Sequence, residues 1–292
     1  MSDFRVGVSG WTYSGWRKVF YPDDLPQRCE LEYASRAFRA IEINGTHYSL
    51  QRPETFAEWH ARTPDDFVFT VKAGRYITHM RKLVNVEAPV ANFFASGLLA
   101  LREKLGSILW QFPPRFRYDS AKMEAFFGLL PFDTHEAVQV ARGHSEWMND
   151  RVFLETDARR PIRHAIEVRH DSFLVPEFFE SLRRRGIAWV ITDTGGRWPY
   201  AEDRTADFAY LRLHGPEELY ASGYPAPALD WWANRLQKWA SGRNPDDPRH
   251  ILADIKTRSL RQAFVFFDND AKVDAPRDAA SLASRLGHGD QH

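Results

Sequence analysis

The sequence predicts an α/β protein, a single TIM-type (β/α)8 barrel of parallel strands with a polar pocket at its C-terminal rim. Three observations support this prediction. The chain has 292 residues, and one such barrel needs about 250. Eight short apolar runs alternate with helix-like stretches, the pattern of right-handed βαβ units in a parallel sheet. Several of these runs also alternate polar and apolar residues. We therefore expect one domain over residues 1–292, with a frayed tail after about residue 286.

The apolar runs define the predicted strands, which are Phe4–Ser9, Arg39–Asn44, Phe67–Lys72, Ser107–Phe112, His164–Arg169, Ile187–Asp193, Phe208–His214 and Ala263–Asp268. Amphipathic segments between them predict helices at Arg52–Arg62, Ala88–Lys104, Ala121–Leu130, Pro176–Arg185, Ala228–Ala240 and Asp278–Leu286. The stretch Asp133–Asp157 lacks clean periodicity, and an elaborated loop and a short helix both remain open for it.

The alternation within the strands predicts which side chains face the barrel interior. In the second strand Glu42 and Asn44 share one face, and Ile41 and Ile43 share the other. The same alternation applies to Thr70 and Lys72, to Glu167 and Arg169, and to Arg212 and His214. Charges on one face of a helix-covered open sheet would be costly to bury. A barrel avoids that cost, because the polar face points into its open mouth, at the strand ends where barrel active sites lie.

Composition limits the class of function. The formal net charge is zero, so the chain as a whole lacks the basic character of a nucleic-acid-binding protein, although a local basic patch remains possible. The single cysteine, Cys29, excludes a disulfide framework and favours a reducing, cytoplasmic location. No apolar stretch approaches the ~20 residues of a membrane span, so no membrane-spanning helix is expected. The oligomeric state is left open.

The predicted rim collects polar side chains that suit an anionic ligand. Arginine and lysine bind phosphate and carboxylate groups, so Lys72, Arg169 and Arg212 are the candidate anion holders. A self-paired network is the alternative, with Glu42 paired to Lys72 and Glu167 to Arg169 or Arg212. The full predicted set of substrate-binding residues is Trp11, Tyr13, Asn44, Lys72, His79, Gln111, Arg169, Asp193, Arg212, Asn269 and Asp270.

Three residues are candidates for catalysis. Glu42 and Glu167 are a possible carboxylate pair, either as general bases or, if they face each other, for glycosidic-bond cleavage. His214 is the candidate acid. Carboxylates and imidazole could also hold a divalent metal. The sequence has no His-x-His or His-Glu-x-x-His spacing, however, and nearby cations would compete for the carboxylates, so no metal ligand is assigned and the cofactor stays unknown.

An aromatic loop follows the first strand. Trp11, Tyr13 and Trp16 would stack on a sugar ring or a base if they are exposed, and would form a lid over the barrel mouth if they are buried. Both interpretations remain open.

Motifs along nearly the whole chain resemble the YecE-like proteins, known as domain-of-unknown-function family 72. The matching motifs are Gly7-Val8-Ser9-Gly10-Trp11-Thr12-Tyr13-Ser14-Gly15-Trp16, Phe20-Tyr21-Pro22, Ile41-Glu42-Ile43-Asn44-Gly45-Thr46-His47-Tyr48, Phe69-Thr70-Val71-Lys72-Ala73, Ile77-Thr78-His79, Leu109-Trp110-Gln111-Phe112-Pro113-Pro114, Glu167-Val168-Arg169-His170, Leu211-Arg212-Leu213-His214-Gly215 and Phe267-Asp268-Asn269-Asp270. The resemblance implies a TIM-type barrel and no settled activity. Asp268 and His47 depart from it, since relatives usually carry asparagine and a larger aromatic residue there.

Two functions follow as hypotheses. The first is an enzyme acting on an anionic small molecule or a phosphodiester, as a hydrolase or isomerase. The second is a non-catalytic barrel that binds nucleic acid or nucleotide through the aromatic loop and the rim arginines. A third hypothesis is a barrel with a structural or partner-binding role.

Overall fold

The computed structural model describes residues 2–148, 150–215, 223–253, 259–269 and 273–287, and the statements below concern these residues. Asp270 and residues 288–292, where we predicted a ligand contact and most of the frayed tail, lie outside them.

Eight parallel strands close into a barrel in the order in which they occur along the chain, which confirms the predicted fold. Each predicted strand overlaps an observed one, and the ends agree within two residues. The strands are β1 (Asp3–Ser9), β2 (Ala40–Ile43), β3 (Val68–Lys72), β4 (Leu105–Gln111), β5 (His164–Glu167), β6 (Ala188–Asp193), β7 (Phe208–Leu213) and β8 (Gln262–Phe267).

Helices follow the strands as expected of βαβ units. They are α1 (Glu30–Ala37), α2 (Gly45–Tyr48), α3 (Pro53–Ala61), α4 (Glu87–Ala95), α5 (Ser120–Phe127), α6 (Thr134–Ala141), α7 (Pro176–Arg185), α8 (Ala226–Ala240) and α9 (Asp274–Arg285). Short 3-10 turns occur at Ser14–Trp16, Gln27–Cys29, Leu98–Lys104, Glu146–Met148 and Asp171–Phe173, and a π-helical turn at Tyr76–Met80.

The structure corrects one predicted helix, resolves one open segment and adds two helices. The segment Ala88–Lys104 is not one helix, because α4 ends before Gly97, whose φ is 109°. A Cβ at Gly97 would lie 2.4 Å from the Cα of Pro53, so only glycine fits this turn. Helix α6 resolves the open stretch at Asp133–Asp157, and its N-cap Asp133 accepts hydrogen bonds from the backbone N–H groups of His135 and Glu136. Helices α1 and α2 were not predicted.

The chain divides into two compact units, one of residues 1–42 and 173–292, the other of residues 43–172. We call them the terminal unit and the central unit and describe each by itself. The single domain over residues 1–292 stays a prediction.

In the terminal unit, the side chains of β7 and β8 form the lining of the barrel interior. Tyr210 and Arg212 pair in register with Phe264 and Phe266, and the ring of Tyr210 lies 6.1 and 5.4 Å from those two phenyl rings. Arg212 on β7 contacts Glu42 on β2. Strands β8 and β1 lie between β7 and β2 in the barrel order. These side chains therefore cross the inside of the barrel, as their alternation predicts.

In the central unit, β4 divides its side chains between two environments. Trp110 packs against Phe93 of α4 and Phe126 of α5, at ring distances of 5.7 and 5.0 Å. The next residue, Gln111, points the other way and donates a hydrogen bond to Glu167 of β5. This alternation presents polar atoms at the end of β4.

No helix among the described residues is long and apolar enough to cross a membrane.

Candidate functional site

The predicted site residues form two polar clusters, one in each unit, at or just beyond the C-terminal ends of their strands. The predicted strands included Asn44, Arg169 and His214. In the structure these residues lie just after the ends of β2, β5 and β7. The chain leaves the strand ladder one or two residues earlier than predicted; at Asn44 it turns directly into α2.

In the terminal unit, Glu42 has donors on both carboxylate oxygens. Ser9 Oγ donates to Oε1 at 3.1 Å, and the Tyr210 hydroxyl donates to Oε2 at 2.6 Å. Arg212 adds a donor to each oxygen, Nε to Oε2 at 3.1 Å and Nη2 to Oε1 at 2.9 Å. Glu42 and Arg212 are 0% and 1% exposed, so neither charge reaches solvent. This arrangement suits a carboxylate that holds an arginine, and a catalytic role for Glu42 stays a prediction.

The same arginine also contacts Asp268. Arg212 Nη2 donates to Asp268 Oδ2 at 2.7 Å, and His214 Nδ1 lies 3.1 Å from that same oxygen. The ring of His214 packs edge-on against Trp198 at 5.5 Å. Two carboxylates, those of Glu42 and Asp268, thus face one guanidinium. Ligand binding by Arg212 and a catalytic role for His214 stay predictions.

In the central unit, Glu167 is held by two neighbours. Gln111 Nε2 donates to Glu167 Oε1 at 2.8 Å, and Arg169 Nε donates to the same oxygen at 2.9 Å. This confirms the expected Glu167–Arg169 pair. Glu167 is 0% exposed and Arg169 14%. Lys72, at the end of β3, is buried. We call Lys72, His79, Gln111, Glu167 and Arg169 the basic cluster.

His79 enters the basic cluster from the π-helical turn Tyr76–Met80. Such turns are rare and are often found at functional sites. Thr78 Oγ1 lies 2.9 Å from His79 Nδ1. On another side the His79 ring meets the ring of His47 edge to face, with centroids 5.0 Å apart. The imidazole is therefore held in place from two sides.

The electrostatic surroundings of His79 are positive. Its pKa is lowered from 6.5 to about 4, first by burial and then by the charges of Lys72 and Arg169. Arg75 acts in the same direction, and Glu167 opposes it only in part. Among the described charged groups that shift this pKa most, three are cations and one is a carboxylate, and the imidazole is neutral at pH 7. An anion bound here would find complementary charge.

Two further predicted residues join strand ends to helices. Asp193 Oδ2, at the end of β6, accepts hydrogen bonds from the Tyr224 hydroxyl at 3.1 Å and from Trp232 Nε1 at 3.3 Å. Asn269 Nδ2, just after β8, donates to Asp278 Oδ2 of α9 at 2.9 Å. These hydrogen bonds fix the strand ends to neighbouring residues and helices. Ligand binding by Asp193 and Asn269 stays a prediction. So does ligand binding by Asn44, whose Oδ1 is buried with no hydrogen-bond partner among the described residues.

The aromatic loop after β1 is partly buried. Trp16 is 0% exposed, while Trp11 and Tyr13 are half-buried. The Tyr13 hydroxyl donates to the backbone oxygen of Ser9, and the Tyr21 hydroxyl donates to that of Trp11. Trp16 is thus buried and the other two keep part of their surface exposed, and the stacking and lid interpretations both stay predictions.

In the described part of the chain, no group of three or more His, Cys, Asp or Glu side chains is arranged to hold a metal ion. Each carboxylate of the two clusters has an arginine as its neighbour instead.

Sequence reasoning missed several members of the clusters. Tyr210 and Ser9 both bind Glu42, and Tyr210 has the same strand parity as Arg212, so the alternation could have identified it. Asp268 was noted only as a departure from the family motif. Arg75 and His47 lie outside the basic cluster but act on His79. They follow strand ends within loops and short helices, where no periodicity marks them.

Comparison with known proteins agrees with this architecture. Residues 5–292 match a protein family described as "Protein of unknown function DUF72". The chain is 28% identical to "UPF0759 protein YunF" of Bacillus subtilis over 96% of this chain and 94% of that protein. It is also 28% identical to "UPF0759 protein YecE" of Escherichia coli K12, over 54% of this chain and 57% of that protein.

Solved structures of DUF72 family proteins share the fold. One from Thermotoga maritima superposes with a TM-score of 0.72 at 24% identity, covering 98% of this chain and 99% of that chain. Another from Enterococcus faecalis gives 0.68 at 17% identity, covering 97% and 95%. At this level of identity the similarity establishes the fold alone.

Proposed function

The chain belongs to the DUF72 family of unknown function, and from its basic cluster we propose that it is an enzyme acting on a small anionic substrate. The observation that carries the proposal is the surplus of positive charge around His79 at the ends of β3 and β5. No activity is established for the family, and the residues of the basic cluster support the proposal.

Lys72 and Arg169 are the groups proposed to hold the anion. Both lie close enough to His79 to lower its pKa, and Glu167 acts in the opposite direction. A phosphate or carboxylate bound beside them would balance the charge, and partial burial strengthens such an interaction because water screens it less. Arg169 donates to Glu167 Oε1 through its Nε at 2.9 Å.

Glu167 is the proposed general base. It is fully buried, and Gln111 and Arg169 fix its Oε1, so the carboxylate is positioned in advance of substrate binding. Proton transfer by a positioned carboxylate typically contributes about 10²–10⁴-fold to a rate. His79, neutral at pH 7, can donate or accept one hydrogen bond to the substrate without adding charge.

Anion binding is tested first with inorganic phosphate and with citrate, by calorimetry and by NMR of the histidine ring protons. We expect wild-type protein to bind at least one of them, and the Lys72→Met variant to bind at least tenfold more weakly. Lys238→Met is the matched control, since Lys238 pairs with the exposed Asp246 in the other unit. Equal affinity in Lys72→Met and wild type would remove the proposed site.

Turnover is tested on a panel of phosphomonoesters, phosphodiesters, sugar phosphates and hydroxy acids. Glu167→Gln keeps the shape of the side chain and should lower the rate on any active substrate about 100-fold or more while anion binding persists. A Glu167→Gln variant as active as wild type would eliminate Glu167 as the base.

The single cysteine, Cys29, fits a reducing, cytoplasmic setting, so the assays are run with a thiol reductant.

A further inference from the structure

A cavity of about 600 Å³ lies within the central unit, bordered by α2, the π-helical turn and α4. Cavities of about 300–1,000 Å³ are typical of small-molecule sites. Lys72, His79 and Arg169 do not line it. Its lining residue His47 contacts His79. The cavity is therefore next to the basic cluster, but none of the residues proposed to bind the anion there lines it.

Large apolar side chains stand exposed around the cavity. Tyr48 is 70% exposed, Tyr76 50%, Met80 62% and Trp147 60%. All four line the cavity. Exposed apolar residues that occur singly are ordinary, but a group of them around one opening marks a binding surface. Tyrosine and tryptophan faces favour a flat ring as the partner.

The charge of the lining selects an anion. Arg75 and Arg81 line the cavity, and its described lining contains no aspartate or glutamate. The Arg75 guanidinium lies 5.6 Å from the centre of the Tyr48 ring. Arg81 Nε donates to the backbone oxygen of Val84 at 3.0 Å. Within the described residues neither guanidinium forms an ion pair, and both keep donors for a ligand.

The cavity walls are partly rigid and partly strained. Asn92 Nδ2 donates to Ser145 Oγ at 3.1 Å, and Asn92 Oδ1 accepts from the Ser145 backbone N–H at 2.7 Å. The loop that follows the π-helical turn contains Lys82, Leu83 and Asn85, with φ of 49°, 64° and 51°. Left-handed conformations at residues other than glycine cost energy and cluster at ligand sites. Asn85 itself lines the cavity.

We propose that this cavity binds a nucleoside phosphate, with the base stacked on Tyr48, Tyr76 or Trp147 and the phosphate held by Arg75 and Arg81. A nucleobase is flat, carries polar edges and is linked to an anion, and the lining offers aromatic faces, the amide of Asn85 and two guanidinium groups. A free nucleotide and one unit of a single-stranded nucleic acid present the same chemistry. The proposal is independent of the enzyme proposed above.

Calorimetric titration with AMP, CMP, adenosine and ribose 5-phosphate tests it. We expect AMP or CMP to bind, and adenosine and ribose 5-phosphate to bind at least tenfold more weakly than AMP, because each lacks one of the two recognised parts. An eight-residue oligothymidylate distinguishes the sources: tighter, salt-dependent binding of the oligomer identifies a nucleic-acid strand, and tighter binding of AMP identifies a free nucleotide.

The variants Trp147→Ala and Arg81→Gln should each weaken binding at least tenfold. Trp231→Ala and Arg142→Gln, an exposed tryptophan and an exposed arginine that do not line the cavity, should bind as wild type. Lys72→Met should also keep the affinity, even if it abolishes phosphate binding at the basic cluster. The proposal is overturned if no nucleotide or oligomer binds at millimolar concentration, if ribose 5-phosphate binds as well as AMP, or if Lys72→Met alone removes binding.

Discussion

Arg212 on β7 holds Glu42 on β2 through two hydrogen bonds, of 3.1 and 2.9 Å, across the inside of the barrel. Two buried charges of this kind stabilise the fold only as a pair, because each has lost its hydration. The pair links two strands that are not neighbours in the sheet. Its removal therefore tests whether the cluster in the terminal unit is structural.

Arg212→Met should lower the free energy of unfolding by about 3–5 kcal/mol, because it leaves Glu42 buried without its partner. Urea denaturation followed by circular dichroism measures the change. Arg159→Met is the control. Arg159 is 69% exposed and lies 2.6 Å from Asp133, and loss of such a surface pair changes stability by about 0–1 kcal/mol. A loss below about 1 kcal/mol for Arg212→Met would contradict a structural role.

His79 should titrate far below an ordinary histidine. Its pKa of about 4 results from burial and from the nearby charges of Lys72 and Arg169. NMR of the ring protons across pH 3–8 measures it. Lys72→Met should raise the value, and so should phosphate bound at the basic cluster, because each reduces the positive potential at the ring. A pKa near 6.5 that responds to neither change would show that the cluster is not electropositive.

His164 should make the protein less stable in acid. Trp110 Nε1 donates to His164 Nδ1 at 3.1 Å, and His164 Nε2 lies 2.7 Å from the backbone oxygen of Pro131. An indole N–H can only donate, so Nδ1 accepts and the proton sits on Nε2. A second proton on Nδ1 would face the indole N–H, and burial in addition lowers the pKa of His164 from 6.5 to about 4.

The sign of the pH effect follows from this lowered pKa. Below pH 6.5 the unfolded chain binds a proton that the folded chain does not, so stability falls as the pH drops from 6.5 towards 4. The free energy of unfolding falls by on the order of 3 kcal/mol once His164 is protonated in both the folded and the unfolded chain. Thermal unfolding between pH 4 and 8 measures it. His164→Gln should be less stable at pH 7 and should show a flatter dependence; an unchanged slope would rule out His164 as the cause.

Gly7→Ala should prevent stable folding. A Cβ at Gly7 would lie 1.8 Å from the backbone oxygen of Ala40 on the paired strand. That overlap involves backbone on both sides, so the cost should exceed the ~1–3 kcal/mol usual for overpacking. Gly15→Ala is the control, since its nearest neighbour would be Val273 Cγ2 at 3.8 Å. Soluble yield and the urea midpoint compare the two; a Gly7→Ala protein as stable as the control would disprove the close approach.

The strand pattern was predictable because it is local. Alternation within four to six residues placed Glu42 and Arg212 on one face of their strands, and the structure has both inside the barrel. The helix boundaries were less accessible, as at Gly97, because the turn there depends on the approach of Pro53, which is distant in sequence. The sequence marked Trp11, Tyr13 and Trp16 as a stacking surface or a lid, whereas the exposed aromatic residues around the described cavity are Tyr48, Tyr76 and Trp147.

The sequence by itself determined the eight parallel strands, their order and the set of polar residues at their ends, because hydrophobic periodicity and chain length restrict the fold. Only the tertiary structure decided which charges meet. Glu42 joins Arg212 in the terminal unit, and Glu167 joins Arg169 in the central unit. The reason is physical: a charge–charge energy depends on distances between residues far apart in the chain, and no local pattern encodes those distances.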